Sequence, residues 1–451
     1  MSSTFEHVKT TALELAKQEN HPLAFQLLDH YWPRAQTLLE LETLGTVSLK
    51  IGHTDLAVKC AETVAGMCTT PEESYVARVN LGKAYYRANQ PEKALFYNKI
   101  NLEMRPNDFD AIVSYAASLK LNGERGESER VINDLKCQPW VTADQCENLR
   151  ITDTHPLLRA GQTAEGIRWF LHTDRDRTTV FDIKGMRIWN GVKVPGQTLY
   201  VNACGGAGDE LINIRFFNHL KNLGMQPKLF SILDRPGLAQ VFRRHGFEVL
   251  VNEEEIDVHQ PWTYLMNLPI DLGVGEQDLW KGPYLTASGQ PHTKLPASKK
   301  LRVGVKCQGN PYFEQDIYRC IPLEQMLSVI PSDVEIYNFD LQHTHERCHN
   351  LRARINSWDD TLDYLSQMDI VLSSCTSIIH AAASIGVPGI VCVPILEYYV
   401  WTSTHTDEST PWYSKSLRVL KQQTPGCWST PLQRAGEIIK TTLREKQQND
   451  N

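Results

Sequence analysis

Over residues 4–172 the apolar positions fall at helical spacing, and the pattern repeats itself. Leu81, Gly82, Tyr85, Ala94 and Pro106 place small residues where two helices would touch and a proline where the second would stop. Leu44, Gly45 and Ala57 repeat the first part upstream, and Tyr115, Ala116 and Leu119 fit a weaker copy, with Gly123 and Gly126 near its turn. Asn98 and Asn101 stand where the pattern usually has apolar or small residues. These positions predict roughly three to five helix pairs. After Asp174–Arg177 the periodicity changes to alternating strand and helix. Strands are expected at 198–203, 227–233 and 248–251, with helices at 209–223 and 236–245 between them. A polar stretch rich in Gly, Pro, Ser and Lys at 286–300 reads as a linker. A second alternation follows, with strands at 301–306, 334–339, 370–373 and 389–393 and helices at 323–329, 361–367 and 376–385. A terminal helix at 431–446 and a polar tail at 447–451 complete the chain. The predicted class is therefore α plus α/β: helical repeats (1–175), then two Rossmann-like halves (176–290 and 291–451) forming a cleft at the carboxyl ends of their sheets.

Composition narrows the partners. The formal net charge of the 451 residues is −7, and no basic stripe stands out, so no nucleic-acid partner is expected. Eleven scattered cysteines without a C-x-x-C pair suit reduced thiols. The start of the chain lacks a signal-peptide pattern, and no apolar run reaches membrane-spanning length, so a cytoplasmic protein without a membrane span is expected.

Four stretches could carry chemistry. The first is V-N-A-C-G-G-A-G-D-E-L at 201–211, a strand, a glycine-rich loop and a helix start. Gly205, Gly206 and Gly208 let the backbone approach a ligand, while Asp209 and Glu210 make that helix start a poor seat for an anion. A carboxylate there is expected to have a low pKa, which keeps Asp209 ionised but makes it a weak base. The second is S-S-C-T-S-I-I-H at 373–380, where Thr376 or Ser377 would cap a helix and its free amides would suit a phosphate. His380 lies one turn in. The third runs from Cys307 to Leu323, where Arg319 could fork onto a diphosphate. The fourth, Gln342–His349, holds three histidines and Cys348, but at no standard metal-ligand spacing; a polar loop is expected and no metal. Trp401, Trp412 and Tyr413 would either wall a ligand or pack the core.

Taken in order, these motifs show a family likeness. Tetratricopeptide repeats are followed by W-N-G (Trp189–Gly191), G-x-G-D-E (Gly206–Glu210), G-N-P (Gly309–Pro311), R-x-I-P-L (Arg319–Leu323), D-T (Asp360–Thr361), T-S-x-x-H (Thr376–His380) and P-W-Y (Pro411–Tyr413). This resembles bacterial tetratricopeptide-repeat proteins whose C-terminal part is similar to glycosyltransferase family nine, the heptosyltransferase-like enzymes of GT-B fold. The resemblance implies an inverting, metal-independent sugar transfer from a nucleotide-sugar donor, with no cofactor. By position it makes Asp209 the general base and assigns Thr376, Ser377, His380, Arg319 and Asn310 to the donor diphosphate. Gly206, Gly208 and Glu210 fall to the acceptor loop. The chain departs from the family pattern at Cys375, where relatives have Asp, at Cys204-Gly205, where they have Glu-Gln, and at Gln308, where they have a small residue. The acceptor could be a protein, a lipid-linked group or a saccharide, and the repeats would bind a partner or a second copy. Two other readings compete: a non-catalytic scaffold that binds a nucleotide or glycan, and a sugar-nucleotide epimerase.

Overall fold

A computed structural model describes residues 3–449 apart from 19, 172–178, 232–234, 236, 312, 314, 315, 403 and 406. The expected end of the repeats at 172 and the boundary between 175 and 176 lie outside the described residues. So do Leu233, Pro236 and residues 450–451 of the tail.

The first third is helical. Its helices are α1 (Ser3–Lys17), α2 (His21–Tyr31), α3 (Leu38–Ile51), α4 (Thr54–Met67), α5 (Pro71–Arg87), α6 (Pro91–Met104), α7 (Phe109–Leu121), α8 (Arg125–Lys136), α9 (Ala143–Asn148), α10 (Thr154–Arg159) and α11 (Thr163–Phe170). Reciprocal capping at Thr37–Glu40, Thr70–Glu73 and Thr142–Gln145 fixes three of the starts. Consecutive helices pack in pairs, α1 on α2 through α7 on α8 and then α10 on α11. The small residues work as the pattern requires: a Cβ on Gly45 would stand 3.1 Å from that of Cys60. Gly82 sits against the Asn98 carboxamide, which donates to Ser118 Oγ at 2.7 Å and to the Ser114 carbonyl at 3.2 Å. Asn98 thus departs from the repeat pattern because it is a buried polar tie between α6 and α7.

Two parallel sheets follow. After α12 (Val180–Ile183), β1 (Thr198–Asn202), β2 (Gln226–Phe230), β3 (Glu248–Leu250) and β4 (Trp262–Tyr264) form a sheet of order β3-β2-β1-β4. Between these strands run α13 (Ala207–Asn213), α14 (Phe216–Asn222) and α15 (Leu238–Arg244), and α16 (Leu268–Asp271) comes after them. The second sheet has β5 (Arg302–Lys306), β6 (Glu335–Asn338), β7 (His349–Asn350), β8 (Ile370–Ser374), β9 (Gly389–Val393) and β10 (Leu417–Lys421), in the order β10-β9-β8-β5-β6-β7. Its helices are α17 (Asp316–Arg319), α18 (Leu323–Ser328), α19 (Trp358–Leu365), α20 (Ser377–Ser384) and the terminal α21 (Ser429–Asn449). Among the described residues every pairing between these strands is parallel, as burial of both faces under helices requires. The order reverses at β1/β4 in the first sheet and at β5/β8 in the second, and such switch points are where open α/β sheets hold ligands.

Three expectations change. The helix expected at 209–223 begins at Ala207 and breaks after Asn213, because Arg215 turns inward: its guanidinium donates to the carbonyls of Leu279 and Trp412 at 2.8 and 2.7 Å. Strands β4, β7 and β10 were not anticipated; β4 and β7 are too short for a periodic signal. The stretch 286–300 is no free linker, since Asp363 on α19 accepts from the amides of Gly289 and Gln290 at 2.9 and 2.7 Å and from the Ser288 hydroxyl at 2.9 Å.

The repeats lie along the second half. Tyr318 donates to the Tyr86 carbonyl at 2.7 Å, Arg125 pairs with buried Glu397 at 3.1 Å, and His155 Nδ1 lies 2.8 Å from Thr402 Oγ1. Phe170, at the end of α11, packs edge-on against Tyr398, 5.1 Å between ring centroids.

Candidate functional site

The loops that follow β1, β5 and β8 come together where the two halves touch. After β1 the chain turns through Gly205, whose φ of +76° only glycine adopts without strain, and enters α13 at Gly206. Asp209 folds back so that one carboxylate oxygen accepts the Gly206 amide at 2.6 Å. Its other oxygen accepts the Tyr398 hydroxyl at 2.6 Å, and Tyr398 belongs to the opposite half. Asp209 is thus both a helix cap and a group presented to the cleft.

Its electrostatics correct the expectation of a low pKa. Burial, which disfavours the charged carboxylate, raises the Asp209 pKa above the usual value and outweighs the lowering by Tyr398, the Gly206 amide, Arg235 and Arg319. A raised pKa makes it a stronger base than a helix N-terminus alone would predict. Glu210, which the resemblance places in the acceptor loop, is buried in an ion pair with Arg235, whose guanidinium also donates to the Gly205 carbonyl at 2.6 Å. This pair buttresses the glycine loop. Gly208 is the point of contact between halves, since a Cβ there would stand 3.2 Å from the His380 ring and 3.5 Å from Ser377 Cα.

On the second half, Thr376 is the N-cap of α20, yet its side chain makes no capping bond and instead lies 3.1 Å from the Ser373 hydroxyl. Ser377 opens the helix opposite Gly208. Arg319 reaches from the loop after β5 to the loop after β8: it donates to the Cys375 carbonyl at 2.8 Å and to Asp316 at 2.8 Å, with Phe313 under its guanidinium. A fixed cation therefore stands beside the start of α20, at the switch point of this sheet. Asn310 is exposed on the same loop.

His380, which the resemblance assigns to the donor diphosphate, sits inside the fold. It is buried, stacked on Trp401 at 5.0 Å, and its Nδ1 lies 2.7 Å from the Tyr413 hydroxyl. Burial first, then Arg215 and Arg319, push its pKa down to about 3, so the ring is neutral. Trp401, Trp412 and Tyr413 are all buried and pack the core; Trp401 also donates to the Cys375 thiol at 2.7 Å. At 342–349, His343 meets Gln308 at 2.5 Å and His345 meets Glu324 at 3.0 Å; among the described residues no cluster of His, Cys, Asp or Glu could hold a metal ion. Sequence reasoning missed Tyr398, Arg235 and Arg215. The aromatic pair Tyr398-Tyr399 beyond the end of β9 was the one available signal for the first.

No family model and no curated protein matches the sequence. Among solved structures it is similar to the iron-containing dodecameric glycosyltransferase TibC of enterotoxigenic E. coli, at 11% identity over 58% of this chain and 78% of that one, with a TM-score of 0.39. It is similar to a mutant O-GlcNAc transferase of Thermobaculum terrenum at 12% identity, over 99% of this chain and 95% of that one, with a TM-score of 0.36. A tetratricopeptide-repeat protein of Thermus thermophilus is 16% identical over 40% of this chain and 95% of that one, with a TM-score of 0.27. The chain is a tetratricopeptide-like helical array followed by two parallel α/β halves packed on one another.

Proposed function

We propose that the chain is a glycosyltransferase that moves a sugar from a nucleotide-sugar donor to an acceptor hydroxyl with inversion and without a metal. One observation carries the reading: Asp209 on one half and the Thr376–Ser377 helix start with Arg319 on the other come together where the two halves meet. A base and an anion seat on opposite walls are what a single displacement needs. Asp209 accepts the proton of the acceptor hydroxyl as its oxygen bonds to the anomeric carbon. The bond from that carbon to the diphosphate breaks, and the charge that develops there meets the first amides of α20 and the Arg319 guanidinium. His380, neutral and stacked, shapes the wall without supplying charge.

The alternative of a binding module without turnover is favoured by one feature, that both Asp209 oxygens already hold hydrogen bonds. A screen of nucleotide sugars separates the two. The transferase reading expects one donor both to raise the melting temperature and to be consumed, with nucleoside diphosphate released in the presence of EDTA. Binding without release of diphosphate, over long incubation and with acceptor hydroxyls supplied, favours the module.

A further inference from the structure

The candidate base is held by a residue of the other half, and that residue is held by the repeats. Tyr398 donates to Asp209 at 2.6 Å; its ring lies edge-on to Phe170 at 5.1 Å, and Phe170 also packs on Tyr399 at 4.8 Å. Phe170 is the last residue of α11, so this contact joins the end of the repeat array to the cleft. The same segment is anchored next door: Glu397 is buried between Arg125 of α8 at 3.1 Å and Lys421 at 2.6 Å. Helix α13, the segment after β9 and the end of the repeats thus meet through Tyr398.

We propose that Tyr398, braced by Phe170, is a positioning residue that holds Asp209 as an anion facing the acceptor, so that seating of the repeats governs the strength of the base. This rests on the reading of Asp209 as the base of a sugar transfer. A hydroxyl that donates to a carboxylate favours its charged form, and a phenol is a good donor only while it keeps its proton. Here burial, and then Asp209 itself, hold the Tyr398 hydroxyl well above its ordinary pKa, so it remains a donor throughout the working range. The other charged or ionisable groups around Asp209 are Arg235, Arg319, Tyr399, Cys204 and Cys375, with Glu210 paired to Arg235. Of these, Tyr399 packs on both Phe170 and Tyr398, and burial holds its hydroxyl above its ordinary pKa as well.

The test compares the full chain with Tyr398→Phe and Phe170→Ala in two titrations. One is the pH profile of donor turnover; the other is the carboxyl signal of Asp209 in protein labelled with carbon-13 aspartate, assigned by its loss in Asp209→Asn. Removing the phenol hydroxyl takes away a hydrogen bond to the anion, so in Tyr398→Phe both the acid limb and the Asp209 midpoint should move up by about 1 pH unit. Turnover should recover toward the parent level above the new midpoint. Phe170→Ala should move both in the same direction by less. Turnover in the parent with unmoved midpoints in Tyr398→Phe overturns the role of Tyr398 while leaving the transferase reading intact. A shift in Tyr398→Phe with none in Phe170→Ala overturns the part given to the repeats. A parent chain that consumes no nucleotide sugar overturns the transferase reading, and this role with it.

Discussion

Replacing Arg319 with alanine should weaken binding of a nucleoside diphosphate and also destabilise the fold, and the two effects can be separated. The guanidinium does two jobs in the structure. Toward the protein it is the cation for Asp316, a carboxylate only 2% exposed whose other described donor is the Gly309 amide at 3.1 Å. Removing one partner of a buried pair strands the other, at about 3 kcal/mol for a pair whose arginine still touches solvent. Toward the cleft it stands beside the start of α20, where a charge-assisted hydrogen bond to a phosphate is worth about 1.5–3 kcal/mol, or about a 10- to 100-fold change in Kd. Urea unfolding measures the first effect and titration calorimetry with the nucleoside diphosphate the second. The double variant Asp316→Asn, Arg319→Met removes the stranded charge and should recover part of the stability but none of the affinity. Arg319→Ala that is folded at the assay temperature and binds the diphosphate within about twofold of the parent would refute the assignment.

Two further predictions follow from buried charge. Burial alone would raise the Asp363 pKa, but the amides of Gly289 and Gln290 and the Ser288 hydroxyl and amide together bring it below the usual value. The stability it contributes is therefore full above the unfolded-state pKa and is lost as pH falls through the folded one. Asp363→Ala should cost about 2–4 kcal/mol at neutral pH in urea unfolding, with a gap to the parent that narrows at acid pH; a constant gap contradicts this account. His380 has a folded-state pKa depressed to about 3, and buried His155 is also pushed down by burial and then by Lys120 and Arg125. Each stays neutral in the fold and gains a proton on unfolding, so stability falls as pH drops below about 6.5, by up to about 2 kcal/mol per histidine by pH 5. His380→Gln should flatten this slope, and an unchanged slope shows that the ring is charged in the fold.

Much of this was legible in the chain, because it rests on local signals. The glycines at 205–208 followed by apolar residues at helical spacing mark a strand, loop and helix, and the structure has β1, a left-handed Gly205 and α13 there. Gly82 and Ala94 mark helix contacts by their size, and both are buried between helices. What was not legible depends on partners distant in sequence. The hydroxyl on Asp209 comes from Tyr398, and the guanidinium that closes the ion pair with Glu210 comes from Arg235. No periodicity announces either. Arg215 falls within the helix expected at 209–223, yet it breaks that helix to reach carbonyls of Leu279 and Trp412 amid the rings of Tyr284 and Tyr413. His380 reads as a residue one turn into a helix that would suit a phosphate; its stacking on Trp401, its tie to Tyr413 and its lowered pKa come from residues distant in sequence.

The central claim is that Asp209 is a base rather than a helix cap. Asn at this position keeps an oxygen for the Gly206 amide and turns its NH2 toward the Tyr398 oxygen, which can accept it, but it cannot take a proton. The most direct measurement is therefore transfer by Asp209→Asn with the donor that the parent consumes, alongside the affinity of both proteins for that donor. The account predicts that transfer falls by about 1000-fold or more while donor affinity stays within about threefold of the parent. Retained transfer, or equal loss of transfer and donor binding in the folded variant, would show that Asp209 only holds the glycine loop in place.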